Sequence, residues 1–341
     1  MRPPPAWATR ARCLAAGALL AGASALAAPA APSCPPPPPD PALLQTVVVE
    51  SAGDVASGGT AAAPQPDRGP LWRVERDGLR GWLYGTLHVG RAPWRTGPRV
   101  RQALQGSAVL ALELDPLDAS VAAALQGAAL RPETRAVRLD AALSARLAAA
   151  ARQACLDEQA LAALHPSWQV LQLTLVQARR DGLEPLFAQE LVLALLARRL
   201  GKAVVSLETP QQQLDALLPG DAGQVAAEVD RSLQTLESGR AGPLLRRIEQ
   251  AWTAGDLATL GDPAAWCDCT PTAEDRAALA RLNDRRNEVM AQRLDARMRD
   301  GPVVFAAVGA LHLSGPLGLP ALLAQRGYRV VPVLPADARS P

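Results

Sequence analysis

Two short segments carry the residue types best suited to chemistry in this chain. Gly85-Thr86-Leu87-His88 follows the apolar run Trp82-Leu83-Tyr84, and Gly309-Ala310-Leu311-His312 follows Val303-Val304-Phe305-Ala306-Ala307-Val308. In each, a glycine lets the backbone turn sharply off a strand end. Three residues later stands an imidazole, which binds a metal or carries a proton. The chain has three histidines and these segments use two of them. Their equivalent settings predict a paired site.

Carboxylates stand at two further strand ends. Glu113 closes Val109-Leu110-Ala111-Leu112, with Asp115 two residues on, and Glu208 closes Val204-Val205-Ser206-Leu207. Open α/β sheets bind ligands beyond the carboxyl ends of their strands, so four groups of ligand type at four strand ends predict one site. Two histidines with one or two carboxylates suit a divalent transition ion, Mn, Co, Zn or Fe. Such an ion acidifies bound water and polarises a carbonyl, which is hydrolytic chemistry at neutral pH. The candidate ligands are His88, His312 and one or both of Glu113 and Glu208, with a carboxylate outside the shell serving as general base. The spacing is not the His-Glu-x-x-His of helical zinc proteases, and neither a Gly-x-Ser-x-Gly elbow nor a phosphate-cradling loop is present. A metal-free route would use one histidine as the base that activates water.

Plainer roles exist for the same residues. A strand-end histidine is often only a hydrogen-bonded structural group, Glu113 can cap the next helix, and Glu208 precedes Thr209-Pro210 at a helix start. His165, in Leu164-His165-Pro166-Ser167-Trp168, lies at a helix junction away from any strand end and reads as structural. Arg285-Arg286-Asn287-Glu288 falls within a helix and reads, on residue type alone, as a solvated face or salt-bridge cluster. Its asparagine is a poor helix former.

The elements that must position these residues are legible from periodicity. Leu71–Arg76 and Leu79–Tyr84 flank Asp77-Gly78, a strong hairpin signal. Further strands are expected at Ala108–Leu112, Ala203–Leu207, Pro302–Val308 and Tyr328–Val333. Helical spacing marks Asp118–Leu130, Ala141–Gln153, Ser167–Arg180, Gln189–Leu200, Val225–Glu237, Leu244–Ala254 and Ala273–Arg299. Thr272 and Asp275 make a variant capping box for the last. The fold class is α/β: a mixed, largely parallel central sheet with an N-terminal β-hairpin, flanking helices and a helical insertion or cap over about residues 115–200.

The N-terminus reads as an address. Arg2, Arg10 and Arg12 precede the apolar stretch Cys13–Leu26 and the small-residue site Ala25-Leu26-Ala27, the layout of a cleaved signal peptide over residues 1–27. The stretch is short for a membrane span, so a periplasmic or secreted protein with no stable span after cleavage is expected. Residues 28–70, rich in Ala, Pro, Gly and Ser, read as a disordered tether, with Val47-Val48-Val49 as a strand that docks. The folded domain is then 71–335. Cys34, Cys155, Cys267 and Cys269 remain after cleavage and allow two disulfides in three connectivities. Lys+Arg number 35 against 33 Asp+Glu, which leaves no nucleic-acid or membrane-surface footprint. The expected partner is a peptide or small-molecule substrate.

In their order the motifs resemble the TraB/GumN family, to which the Tiki metalloproteases are related. The pieces are Leu83 to Gly90, Leu112-Glu113-Leu114-Asp115, Pro166-Ser167-Trp168, Asp181-Gly182-Leu183-Glu184, Gly201 to Thr209, Trp252 to Leu257, Arg286-Asn287, Val308 to Leu313, and Gly315 to Val330. The chain departs from the family's usual Gly-hydrophobic-Asp at Gly182-Leu183-Glu184, and from Pro-Trp at Pro166-Ser167-Trp168. The resemblance implies an active site of His88, Glu113 and His312, with Arg286 and Asn287 as helpers, Arg286 as a clamp for an oxyanion or a substrate carboxylate. It implies a metal-dependent hydrolase, a peptidase among the options. Haem-binding ChaN-like proteins and erythromycin-esterase-like hydrolases share the fold, so a haem or metal carrier without turnover is the alternative.

Overall fold

The structure is a computed structural model that describes residues 34–53, 65–92, 94–129, 137–266 and 272–334. The signal segment, part of the tether, Cys267 and Cys269 lie outside the described residues. Six strands form one sheet: β1 Leu71–Arg76, β2 Leu79–Thr86, β3 Val109–Leu112, β4 Ala203–Ser206, β5 Val304–Gly309 and β6 Arg329–Leu334. Their spatial order is β4-β3-β5-β2-β1-β6. Pairing is parallel across β4, β3, β5 and β2, and antiparallel on both sides of β1. The Asp77-Gly78 turn closes the β1–β2 hairpin with both residues at positive φ, 49° and 82°, as a primed turn requires.

That topology puts the carboxyl ends of β2, β3, β4 and β5 on one edge of the sheet. Strand β5 is central and buried throughout. Its side chains alternate between faces, as strand geometry demands. Phe305 and Ala307 join one core with Leu71, Tyr84, Leu110, Leu112 and Trp252, while Val304, Ala306 and Val308 join the other with Met290, Leu294, Met298, Leu322 and Leu323. Both faces are therefore covered by helices, which explains why the parallel strands read as continuous apolar runs.

A third core lies off the sheet. Leu143, Leu147, Leu161, Val170 and Leu173 pack there with Val225, Val229 and Leu233. The cap is thus discontinuous in sequence: the helix Ala222–Glu237 joins it from beyond β4, whereas Gln189–Arg199 packs against the sheet core. No break in hydrophobic periodicity marks this exchange, so the expected 115–200 boundaries differ from the packing.

The tether reading is corrected over part of its length. Ala42–Ala52 is a helix whose Leu44, Val47, Val48 and Ser51 are buried. These positions fall at i, i+3, i+4 and i+7, so one helical face enters the core, and the strand preference of the valines is overridden. Asp40 Oδ1 accepts the Ala42 N–H at 2.8 Å, Gly53 closes the far end at φ 87°, and Arg95 pairs with Glu50 at 2.6 Å. A disulfide joins Cys34 to Cys155 of the cap across 121 residues. Asp67 Oδ1 accepts the N–H groups of Arg99 and Val100, so the segment before β1 is fixed as well.

Val48→Asp tests this docking. Burying an unpaired carboxylate should lower unfolding free energy by roughly 3 kcal/mol or more, measured by denaturant titration, whereas a free tether would tolerate the change.

Candidate active site

Glu113, one residue beyond β3, is the centre of the sheet edge and is buried. Its Oε1 accepts the backbone N–H of Gly309 at 2.7 Å, and its Oε2 accepts from Arg286 Nη2 at 2.5 Å and from Gln213 Nε2 at 3.4 Å. Burial works to raise the carboxyl pKa. His312, His88, Arg286 and the Gly309 N–H overcome it and hold the group at about 2. Glu113 is thus a fixed anion.

Arg286 carries the complementary charge. Its Nε and Nη2 grip both oxygens of Glu208 at 2.5–3.2 Å, and Nη1 donates to the Leu282 carbonyl at 2.9 Å. Burial disfavours the guanidinium charge, but Glu208 and Glu113 more than offset that. Both Glu208 oxygens are thus engaged by Arg286. Burial raises its pKa, against the pull of Arg286. The arginine gives Nε and Nη2 to the two carboxylates and one Nη1 hydrogen to a backbone carbonyl.

The two histidines follow adjacent parallel strands, β2 and β5, in unlike surroundings. Thr86 pairs with Gly309, so the motifs are offset by one residue. His312 lies in a 3₁₀ turn, Ala310–Leu313, and is buried. Its Nδ1 is 2.6 Å from Asn287 Oδ1, while Asn287 Nδ2 donates to the Leu317 carbonyl at 2.8 Å. An amide oxygen only accepts, so Nδ1 carries the proton and Nε2 presents a lone pair. Burial lowers the imidazole pKa to about 4, against the pull of Glu113. His312 is neutral near pH 7. His88 is exposed over 69% of its side chain and its Nδ1 lies 2.9 Å from Glu190 Oε1. That carboxylate raises its pKa to about 9.

Gly309 keeps a space open between these groups. A Cβ there would lie 3.3 Å from Glu113 Oε1, 3.3 Å from His88 Nε2 and 3.5 Å from His312 Cδ2. Three sequence-expected residues thus surround one point. His312 Nε2 and Glu113 Oε1 are 3.6 Å apart, two acceptors with no proton to share. Their donor chemistry suits a divalent ion, and both Nδ1 positions are held by an acceptor, the arrangement that orients metal-binding imidazoles. Among the described residues no three His, Cys, Asp or Glu side chains are already drawn together tightly enough to enclose an ion.

Glu190, in the first turn of the helix Gln189–Arg199, was not legible in the sequence. It accepts from Thr86 Oγ1, pairs with His88, and leaves Oε2 buried without a partner. An acid in a first turn ordinarily reads as a complement to the helix dipole. Other placements are structural. Asp115 is paired with Arg198 at 2.5 Å, and His165 caps the helix Pro166–Arg180 by accepting the Ser167 N–H at 3.2 Å.

A helix irregularity aims Arg286 and Asn287. The expected continuous helix over 273–299 is broken by a π segment, Ala280–Asp284, between Ala273–Leu279 and Arg285–Arg299. The wider turn buries Asn283, whose Nδ2 donates to the Leu311 carbonyl at 3.2 Å. π turns recur at functional sites. The asparagines at 283 and 287 occupy one helix face, which accounts for two poor helix formers here.

In metal-free protein the His88–Glu190 pair predicts an alkaline loss of stability. A histidine whose folded pKa is about 9, above the ordinary 6.5, stabilises fully below pH 6.5 and loses that contribution as pH rises through 9. Because His88 is exposed, the fall in Tm between pH 6.5 and 9.5 should be small, on the order of a degree or two. Thermal melts in chelator should show this fall in the wild type and not in His88→Gln.

Comparison with known proteins places the chain among relatives. Metalloprotease TIKI1 of Danio rerio is 26% identical over 325 residues, covering 80% of this chain and 65% of the relative's length. The chain therefore spans just under two thirds of that protein. No solved structure matches. The model of the TraB/PrgY/gumN family matches residues 70–332, from the first sheet strand to the last. This chain belongs to the TraB/PrgY/gumN family.

Proposed function

We propose that the protein is an exported, metal-dependent hydrolase that cuts peptide bonds, with His88, Glu113 and His312 holding one divalent ion. The observation that carries this reading is the space over Gly309, faced by the two imidazole edges and one carboxylate oxygen. Likeness to a protein named a metalloprotease supports the choice of reaction. The Cys34–Cys155 bridge supports export to an oxidising compartment. Among the described residues no helix is long and apolar enough to cross a membrane.

Each residue has a defined task. Asn287 holds the His312 tautomer, and Glu190 does the same for His88 once the imidazole gives up its second proton. Arg286 fixes the Glu113 carboxylate, and Glu208 fixes Arg286. Gly309 leaves room for the ion and the reacting carbonyl. When bound, the ion supplies a nucleophilic water at neutral pH and polarises the substrate carbonyl. The opposite histidine shifts, about 9 and about 4, favour one further reading. In it no metal takes part, and neutral His312 accepts a proton from water while protonated His88 donates to the leaving group.

Protein purified without a polyhistidine tag, stripped and titrated with Mn²⁺, Co²⁺, Zn²⁺ or Fe²⁺, should bind one ion by calorimetry. It should cleave unfolded casein in a chelator-sensitive way. His312→Ala and Glu113→Gln should abolish binding and lower the rate at least ~100-fold. Glu190→Gln should weaken ion affinity roughly 10–100-fold. Hydrolysis that survives chelation would select the metal-free reading, and a purified protein with the absorbance of haem would remove both.

The free space over Gly309 makes its own prediction. Gly309→Ala should fold, with a Tm near the wild type, yet lose ion binding and activity as completely as His312→Ala, because its methyl group fills the gap between the ligands.

A further inference from the structure

The site opens into a cavity of about 300 Å³ whose far wall is apolar. Leu217, Ile248, Leu260, Trp266, Leu279 and Leu311 form that wall, while Thr86, His88, Gly309 and His312 belong to both cavity and site. Most polar donors near the wall are already engaged. Trp252 Nε1 donates to the Gly85 carbonyl at 2.9 Å, Trp266 Nε1 to the Leu260 carbonyl at 3.1 Å, and the Asn283 amide to the Leu311 carbonyl. Arg286 also lines the cavity, with Nε and Nη2 taken by Glu208 and Glu113 and Nη1 bonded to the Leu282 carbonyl. A polar or charged group entering this cavity would lose water and find few partners, which costs far more than burying an apolar one.

Two further observations point the same way. Six large apolar side chains are exposed among the described residues, and two of them, Leu279 and Leu311, stand on this cavity at 38% and 36% exposure. These two leucines carry the apolar lining out to the mouth of the cavity. The volume also fits. A cavity of roughly 150 Å³ lined by apolar side chains accepts benzene, so twice that volume holds a leucine, phenylalanine or tryptophan side chain with part of its backbone.

We infer that this cavity is a specificity pocket that takes one bulky apolar side chain of a peptide, adjoining the bond presented to His88, Glu113 and His312. The inference rests on the hydrolytic reading above and adds its substrate class. Leu279 and Leu311 are specificity-determining residues at the mouth, and the Trp266 and Ile248 side chains line the interior. A side chain seated there brings its own backbone carbonyl to the edge formed by Gly309. Discrimination comes from the transfer of apolar surface out of water, so residues with small or charged side chains are rejected.

Two measurements on the full chain test this. In the first, the N-acetyl methylamides of leucine, phenylalanine, aspartate and lysine are titrated into stripped protein and followed by NMR, without any need for turnover. The leucine and phenylalanine derivatives should bind at least about tenfold more tightly than the other two. Leu279→Asp and Leu311→Asp, at exposed positions that tolerate charge, should erase the preference while keeping the wild-type melting curve. In the second, cleavage sites made in unfolded casein by the metal-loaded protein are mapped by mass spectrometry. They should cluster beside Leu, Phe, Met and Trp, with kcat/KM on a leucine peptide falling about tenfold or more in Leu279→Asp. Equal binding of the four derivatives, or cleavage without apolar preference, would overturn the inference. So would strong preference for a long-chain acyl ester over every peptide. Selective binding with no cleavage of any peptide would support the pocket and overturn the hydrolytic reading instead.

Discussion

A guanidinium held between two buried carboxylates governs the geometry of this sheet edge. Arg286 bonds Glu113 on one side and Glu208 on the other, and all three are largely shielded from water. Charges in such a place are costly to desolvate and persist only when paired and hydrogen-bonded. Two anions around one cation leave a net negative charge, and the Gly309 N–H helps to offset it at Glu113. The consequences reach outward. Strands β3 and β4 must end together, since each delivers a carboxylate, and the Glu208 N–H donates to the Glu113 carbonyl at 3.0 Å just past their paired residues. The helix that carries Arg286 must approach at one rotation, and a π turn supplies it.

This cluster also separates the two Gly-x-Leu-His segments. They look alike in sequence and lie side by side, yet one histidine is buried and neutral and the other is exposed and readily protonated. The difference comes from burial at His312 and from a neighbouring carboxylate at His88. His312 meets an amide oxygen deep in the protein, whereas His88 meets the Glu190 carboxylate at the rim. A pair of similar motifs thus becomes a pair of unequal groups, as paired acid–base roles would need. A divalent ion at this centre would have to displace the proton on His88, so ion affinity and pH would be coupled.

The N-terminal segment shows how composition misleads when a folded partner is waiting. Proline and alanine around residues 28–70 lower the expected burial, and three successive valines favour a strand. Four inward positions at helical spacing decide otherwise, because the adjoining helix Gln189–Arg199 offers an apolar surface for them. That same helix carries Glu190 into the site. The docked segment and the candidate edge consequently share one support, and the disulfide from Cys34 to the cap ties the third core to it.

Much of the architecture was written locally. Six apolar runs mark the six strands, Asp77-Gly78 dictates the hairpin, and four strand-end residues of ligand type locate the candidate edge. Those signals survive in sequence because strand propensity, turn chemistry and alternation act over a few residues. Arg286 and Asn287 needed more. Nothing in their own helix distinguishes them from a solvated face, and family resemblance alone raised them. What only the tertiary structure decided was pairing at long range: Glu208 with Arg286, Glu190 beside His88, the helix Ala222–Glu237 within the cap. The reason is physical, since whether a carboxylate serves as ligand, counter-ion or orienting group depends on which charges fold against it, and those lie from about eighty to more than one hundred and seventy residues away along the chain.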